Sequence, residues 1–263
     1  MSEPLKVPTM AEMTARGESP EVLFWVGCAG SFDSRAQKIT RAIAKILQHT
    51  GVSFAVLGTE ESCTGDPAKR AGNEFLFQMQ ALTNIQVLNA YEVKKIVTGC
   101  PHCFNIIKNE YPELGGKYEV LHHTELLQQL VDSGKLKVEG GAFKGKKITF
   151  HDPYYLGRAN DVYEAPRELI VKLDAELTEM KRSRSKGLCC GAGGAQMFKE
   201  PEQGNKDINI ERTEEALGVK PDVIAVGCPF CMTMMTDGIK HFEKEQEIRV
   251  MDVAELIANA NDL

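Results

Sequence analysis

The chain has 263 residues, 43% hydrophobic and 26% charged, an ordinary composition for a soluble globular protein. That length fits one large domain or two of about 100–150 residues each. The formal net charge of −6 argues against a nucleic-acid partner, because phosphate binding favours a basic face.

The opening residues carry no apolar signal-peptide core, so residues 1–20 are expected to form an N-terminal extension. The first strand is predicted over 22–26 and stops at Gly27-Cys28. A helix over 34–51 follows, with Ile39, Ile43 and Ile46 at helical spacing and Gly51 near its C-terminal cap. A strand at 52–57 leads to Cys63. A helix over 67–90 is expected next, with Asp66 as N-cap and Pro67 at the first helical position. A strand at 95–98 runs into Cys100-Pro101-His102-Cys103, and a short strand and a helix containing Glu125 complete the first half.

The second half begins with a strand at 147–150 that stops at His151-Asp152-Pro153-Tyr154. The basic run 181–186 reads as a solvated loop or helix end. It precedes Cys189-Cys190 and the glycines Gly191, Gly193 and Gly194. A strand at 222–226 runs into Cys228-Pro229-Phe230-Cys231, and a short strand and a helix containing Glu255 close the chain. The longest charge-free apolar stretch, 223–236, is shorter than the roughly 20 residues a membrane span needs. The expectation is therefore no membrane span and a cytoplasmic location, peripheral to the inner membrane only through a partner.

The two halves repeat one another. Cys100 to Cys228 is 128 positions, Cys103 to Cys231 is also 128, Glu125 to Glu255 is 130, and Cys28 to Tyr154 is 126. A near-constant offset marks a duplication. Short apolar runs alternating with helices imply βαβ units and parallel sheets, in which ligands collect beyond the carboxyl ends of the strands. The predicted architecture is α/β, with two tandem pseudo-symmetric repeats at 21–140 and 141–263.

Each repeat supplies four cysteines: Cys28, Cys63, Cys100 and Cys103, then Cys189, Cys190, Cys228 and Cys231. In a reducing compartment, grouped cysteines bind metal or do redox chemistry more often than they form disulfides. Four thiolates suit a [4Fe–4S] cube or a tetrahedral zinc. A dithiol–disulfide role for either C-x-x-C pair is the third reading. Around these sets, His151, Tyr154, Gly191 and Gly194 are candidates for residues that support the site. His102 reads as exposed or supporting, and His122 and His123 as turn residues. The methionines Met232, Met234 and Met235 read as core filler.

The segments "ESCTGDPAKR", "GCPHC", "HDPYYLGR", "CCGAGGAQMF" and "GCPFC" resemble the duplicated cysteine-rich CCG domain. That domain occurs in the cysteine-rich subunit of heterodisulfide reductase and in the iron–sulfur subunits of lactate and glycolate oxidases. The resemblance covers nearly all of residues 20–260. It implies an iron–sulfur oxidoreductase subunit with one or two [4Fe–4S] clusters, or zinc at one or both sites. Such a subunit passes electrons between a flavoprotein or ferredoxin-type partner and a quinone, thiol or disulfide acceptor. The "INIERTEEALGVKPDVIAVGCPFCMTMMTDGIK" segment is most similar to the branch linked to membrane quinone reduction and electron-transfer-flavoprotein oxidation. The chain lacks a ferredoxin cysteine run and a dinucleotide fingerprint, so partners are expected to supply the other redox centres. The family pattern has five cysteines per repeat, whereas here Ser62 and Tyr154 each stand where a cysteine is usual. That departure favours ordinary cubanes over the clusters that cleave heterodisulfides. Tyr154 would leave the second site an open position or a weak oxygen ligand.

Overall fold

A computed structural model describes residues 5–138, 140–200 and 203–263. Two four-stranded sheets share one topology. The first runs β2-β1-β3-β4, from β1 (Val22–Trp25), β2 (Phe54–Ala55), β3 (Lys95–Thr98) and β4 (Glu119–His122). The second runs β6-β5-β7-β8, from β5 (Lys147–Phe150), β6 (Glu176–Leu177), β7 (Val223–Val226) and β8 (Arg249–Asp252). Every pairing is parallel, as alternating strand and helix patterns require.

Helix α1 (Met10–Ala15) precedes the first sheet. Helices α2 (Gly27–Phe32) and α3 (Ala36–His49) join β1 to β2. Helices α4 (Asp66–Arg70) and α5 (Glu74–Ala90) lead to β3, α6 (Pro101–Asn105) leads to β4, and α7 (His123–Asp132) follows it. In the second half α8 (Glu164–Val171), α9 (Ile208–Gly218) and α10 (Pro229–His241) make the successive crossovers, and α11 (Val253–Ala260) ends the fold.

Burial on both faces explains why the strands read as continuous apolar runs. In β1, Val22 and Phe24 join a core that includes Ile39, Ile43 and Leu47 of α3, while Leu23 and Trp25 join a second core with Phe77 and Leu88 of α5. The first core continues into the other repeat through Ile148, Leu169, Ile170 and Ile257. Helix α3 packs on α11, and α7 on α8. This reciprocal exchange is the packing expected of a pseudo-two-fold axis. Polar groups pin the same boundary. Arg35 donates two hydrogen bonds to the Glu255 carboxylate, both at 2.7 Å. His123 Nε2 lies 2.9 Å from the buried Asp252 Oδ1.

The repeated glutamates have a structural cause. The Glu125 carboxylate accepts from the His122 N–H at the start of α7, and the Glu255 carboxylate from the Asp252 N–H at the start of α11, both at 2.9 Å. Each closes a capping box with the side chain of its N-cap residue.

Several local expectations need correction. The strand at 52–57 shortens to Phe54–Ala55, and Val56 pairs instead with the N-terminal segment: the Met10 N–H donates to Val56 O, and the Val56 N–H to Pro8 O. The buried Met10 and Met13 fasten α1 to the first repeat. The helix expected over 67–90 is broken between Arg70 and Glu74, where Gly72 takes φ +85° and Asn73 caps the second piece. Its N-cap is Gly65 at φ +89°, and Asp66 is already helical, its carboxylate taken by Arg70 and His102. Strand β6 was not anticipated, because a two-residue pairing at Glu176–Leu177 leaves no periodic signal.

Candidate metal centres

Strand ends and helix starts position the cysteines of the first repeat. Cys28 is the second residue of α2, Cys100 is the N-cap of α6, and Cys103 lies within α6. Gly27 takes φ +77°, and a Cβ there would lie 3.3 Å from Cys103 Sγ, so glycine suits both the turn and the approach. The Glu61 carboxylate accepts from the N–H groups of Val26 and Gly27 at 3.0 and 2.6 Å, which fixes the turn that carries Cys28. Burial pushes that carboxyl up to about 7. Asn84, fully buried on α5, fixes the Cys63 loop. Its amide nitrogen donates to Cys63 O at 3.0 Å, and its oxygen accepts from the Ser62 hydroxyl at 2.9 Å. The Tyr111 hydroxyl donates to Thr64 O at 3.2 Å from the same side. All four cysteines line one small cavity of about 10 Å³, where Cys28 and Cys63 are partly exposed.

The second repeat builds its set differently. Cys228 is the N-cap of α10 and Cys231 lies in its first turn. Cys190 Sγ is 3.2 Å from Cys231 Sγ. The Gly191 N–H donates to Cys189 Sγ at 3.3 Å, with Gly191 at φ +92°. The four cysteines open on a cavity of about 350 Å³ walled by Tyr154, Tyr155, His102 and Gly194. Tyr154 is 48% exposed on this wall, with the Arg158 guanidinium 5.0 Å from its ring centroid. His151 is buried behind the cysteines. Its Nδ1 accepts from Arg212 Nε at 3.0 Å, and one of its nitrogens lies within 4.8 Å of both the Cys190 and Cys231 sulfurs.

The two sets adjoin. The Cys100 and Cys228 thiols lie close enough to shift one another's acidity, and His102 and Phe230, the middle residues of the two C-P-x-C turns, stack edge-on at 5.1 Å. His102 lines both cavities. Neighbouring thiols set the electrostatics. Hydrogen bonds from Cys28 hold Cys63 down at about 7, and those from Cys103 and Cys228 hold Cys100 well below the ordinary thiol range. Cys190 is held down by Cys189 and Cys231, whereas Cys28, Cys103, Cys189 and Cys231 are pushed up. Crowded, buried thiols cannot all ionise against one another. A positive metal centre among them removes that conflict, and each set offers the four sulfurs that a cubane or a tetrahedral zinc takes.

His102 is not an exposed residue. Burial disfavours its cation, but the Asp66 carboxylate at 2.8 Å and the Cys100 thiolate outweigh burial and raise its pKa. His122 and His123 do not sit in a turn: His122 ends β4 and His123 begins α7 directly. Burial keeps the His122 ring neutral, and its Nε2 lies 3.0 Å from Gly227 O. Met232 and Met235 are buried core residues. In the basic run, Arg182 pairs with Glu215 and Arg184 with Glu164. Sequence reading missed Glu61, Asn84, Tyr111 and Arg212. Asn84 had a signal, since it stands at helical spacing with Phe77, Ala81 and Leu88 on the face that α5 buries.

A cysteine-rich domain model, CCG, matches residues 22–108 and 148–236, so each match covers three of the four strands of one sheet and one cysteine set. The chain is 51% identical over 256 residues to "Probable iron-sulfur-binding oxidoreductase FadF" of Bacillus subtilis, an alignment of 97% of this chain and 36% of that protein. It is 44% identical to "EtfAB:quinone oxidoreductase" of Syntrophomonas wolfei, over 93% of this chain and 35% of that protein. Identity to a subunit of the dihydromethanophenazine:CoB--CoM heterodisulfide reductase of Methanosarcina barkeri is 32%, over 92% of this chain and 59% of that protein. The chain thus spans about a third of the length of the first two relatives and under two thirds of the third.

Proposed function

The chain belongs to the cysteine-rich CCG domain family, with one copy in each half, and we propose that it is an iron–sulfur electron-transfer module of a larger oxidoreductase. In this reading each set of four cysteines holds one [4Fe–4S] cluster. Electrons pass between a flavoprotein or ferredoxin-type partner and a quinone, thiol or disulfide acceptor. The observation that carries the reading is the pair of matched four-cysteine sets, which adjoin through His102, lining both cavities, and Phe230. The printed names of the three relatives, an iron–sulfur-binding oxidoreductase, a quinone oxidoreductase and a heterodisulfide reductase subunit, support it.

A bound cluster supplies one-electron storage at a potential tuned by its surroundings. The protein's own residues do the rest. Cys28, Cys63, Cys100 and Cys103 hold the first centre in a small pocket. Cys189, Cys190, Cys228 and Cys231 hold the second beside the larger cavity. His102 and Phe230 pack edge-on between them. The larger cavity makes the second site the one that meets the outside partner. The membrane location, if any, comes from that partner or from other parts of a longer protein. Among the described residues no helix is long and apolar enough to cross a membrane.

The test is anaerobic purification, then iron, acid-labile sulfide and zinc analysis, with an EPR spectrum of the reduced protein. About eight irons and eight sulfides per chain are expected for two cubanes. Zinc in place of iron at both sites would reduce the chain to a structural or docking role.

A further inference from the structure

Behind the second cysteine set lies a buried pair of side chains, Arg212 and His151, that the electron-transfer reading does not use. Arg212 on α9 is fully buried, as is His151 at the end of β5. Arg212 Nε donates to His151 Nδ1 at 3.0 Å. Its Nη1 donates to Arg182 O at 2.8 Å and lies 3.3 Å from a Glu215 oxygen, so the guanidinium is clamped from two sides. A guanidinium has no acceptor, so the hydrogen between Arg212 and His151 belongs to Arg212. His151 Nδ1 is therefore the unprotonated nitrogen, and a neutral ring must carry its proton on Nε2. That Nε2 is buried with no hydrogen-bond partner. The acceptors beside the ring are sulfurs: one ring nitrogen lies within 4.8 Å of those of both Cys190 and Cys231, and hydrogen bonding from His151 is among the causes that hold Cys190 down.

We infer that Arg212 is a positioning residue that fixes His151 as its Nε2–H form, and that His151 donates this N–H to the Cys190 sulfur. The relay rests on the cluster reading above and adds a role that the cysteines alone do not provide. It makes His151 a donor to the second centre and not a replacement for the ligand that Tyr154 fails to supply, because a protonated Nε2 has no lone pair for iron. A donor to a cluster-bound sulfur favours the more negative, reduced state and raises the reduction potential. Among the described residues no histidine is hydrogen-bonded to the corresponding sulfur of the first site. That sulfur, Cys63, has Cys28 and the Gly65 backbone as its hydrogen-bond partners.

The experiment is a redox titration of the anaerobically purified full chain, read by EPR. It compares the native protein with His151→Phe, His151→Gln and Arg212→Met, after iron analysis of each. His151→Phe keeps a ring but removes the donor. It is expected to shift the reduction equilibrium of the second centre about tenfold toward the oxidised state, about 59 mV for a one-electron couple. The first centre should stay where it was. His151→Gln places an amide N–H near the position of Nε2 and should restore most of the shift. Arg212→Met frees the ring and should lower the same potential in part. Nitrogen hyperfine spectroscopy of the native protein should show a weakly coupled imidazole. Iron at both sites with an unmoved second potential in His151→Phe overturns the relay and leaves the cluster reading intact. A strongly coupled, iron-ligated imidazole nitrogen also overturns it. A chain without iron at the second site overturns both.

Discussion

The two cysteine sites resemble one five-cysteine pattern and depart from it at different places. In the first repeat the missing sulfur is replaced by Ser62, whose hydroxyl is held by the buried Asn84 and which does not line the site. The remaining four cysteines close around a cavity with scarcely room for one water. In the second repeat the missing sulfur is replaced by Tyr154, half-exposed on the wall of a cavity some 350 Å³ in volume, and the adjacent pair Cys189-Cys190 is kept. The first site is therefore the tighter and the second the roomier. In the proposed electron-transfer role that asymmetry would give direction: the tighter centre stores and relays, and the roomier one exchanges with a partner.

The strongest test of this division removes one ligand from each side. Cys103→Ser and Cys231→Ser should each cost about half the iron, near four atoms per chain, while the other centre keeps its EPR signal. Loss of both signals from either variant would mean that the sulfurs form one joint centre across Cys100 and Cys228.

A smaller effect confined to the first site is expected from Asn84→Leu. The change leaves the Ser62 hydroxyl, Cys63 O and the Tyr111 hydroxyl short of a buried partner. The cost is about 3 kcal/mol, visible in thermal unfolding. The first centre should also release iron to a chelator faster than in the native protein. Equal acceleration at both sites would show that the Cys63 loop is not specific to one centre.

Restoring the lost cysteines sharpens the comparison further. Tyr154→Cys places a thiol on the wall of the larger cavity and should alter the EPR line shape of the second centre. Ser62→Cys puts a thiol where Asn84 already fixes the side chain, and the first centre should be spectroscopically unchanged. The reverse outcome would assign the roomier site to the first repeat.

Much of this was legible in the residues. The offsets of 126 to 130 positions gave the duplication, and each C-P-x-C turn lies where its strand ends, since apolar runs followed by Gly-Cys-Pro leave little else possible. The repeated Glu125 and Glu255 were visible as a match, but their capping role appears only with His122 and Asp252 in place. The contact between the two sites was not legible. Nothing local in "GCPHC" or "GCPFC" says that Cys100 and Cys228 face each other, because the packing of α3 on α11 and α7 on α8 brings them together. Arg212 was hidden for a related reason. A single arginine in a charged helix reads as solvated, and only the tertiary fold buries it against His151. The break at Gly72 was missed because the apolar pattern runs through it, while the positive φ overrides that pattern locally.

The smallest expected effect lies at the boundary that holds the two sites together. Arg35 on α3 reaches both Glu255 oxygens and also donates to Val250 O at 3.2 Å. The pair is partly exposed, so screening limits its worth, and Arg35→Met should cost about 1 kcal/mol. For a chain of this size that lowers the melting temperature by about 2–4 °C. Since one apolar core runs through both repeats, unfolding should remain a single transition and the iron content should not change. Two separate transitions in this variant would show that the repeats are held together mainly by the ion pair. The two centres would then be free to part, and the relay from the tighter site to the roomier one would lose its fixed geometry.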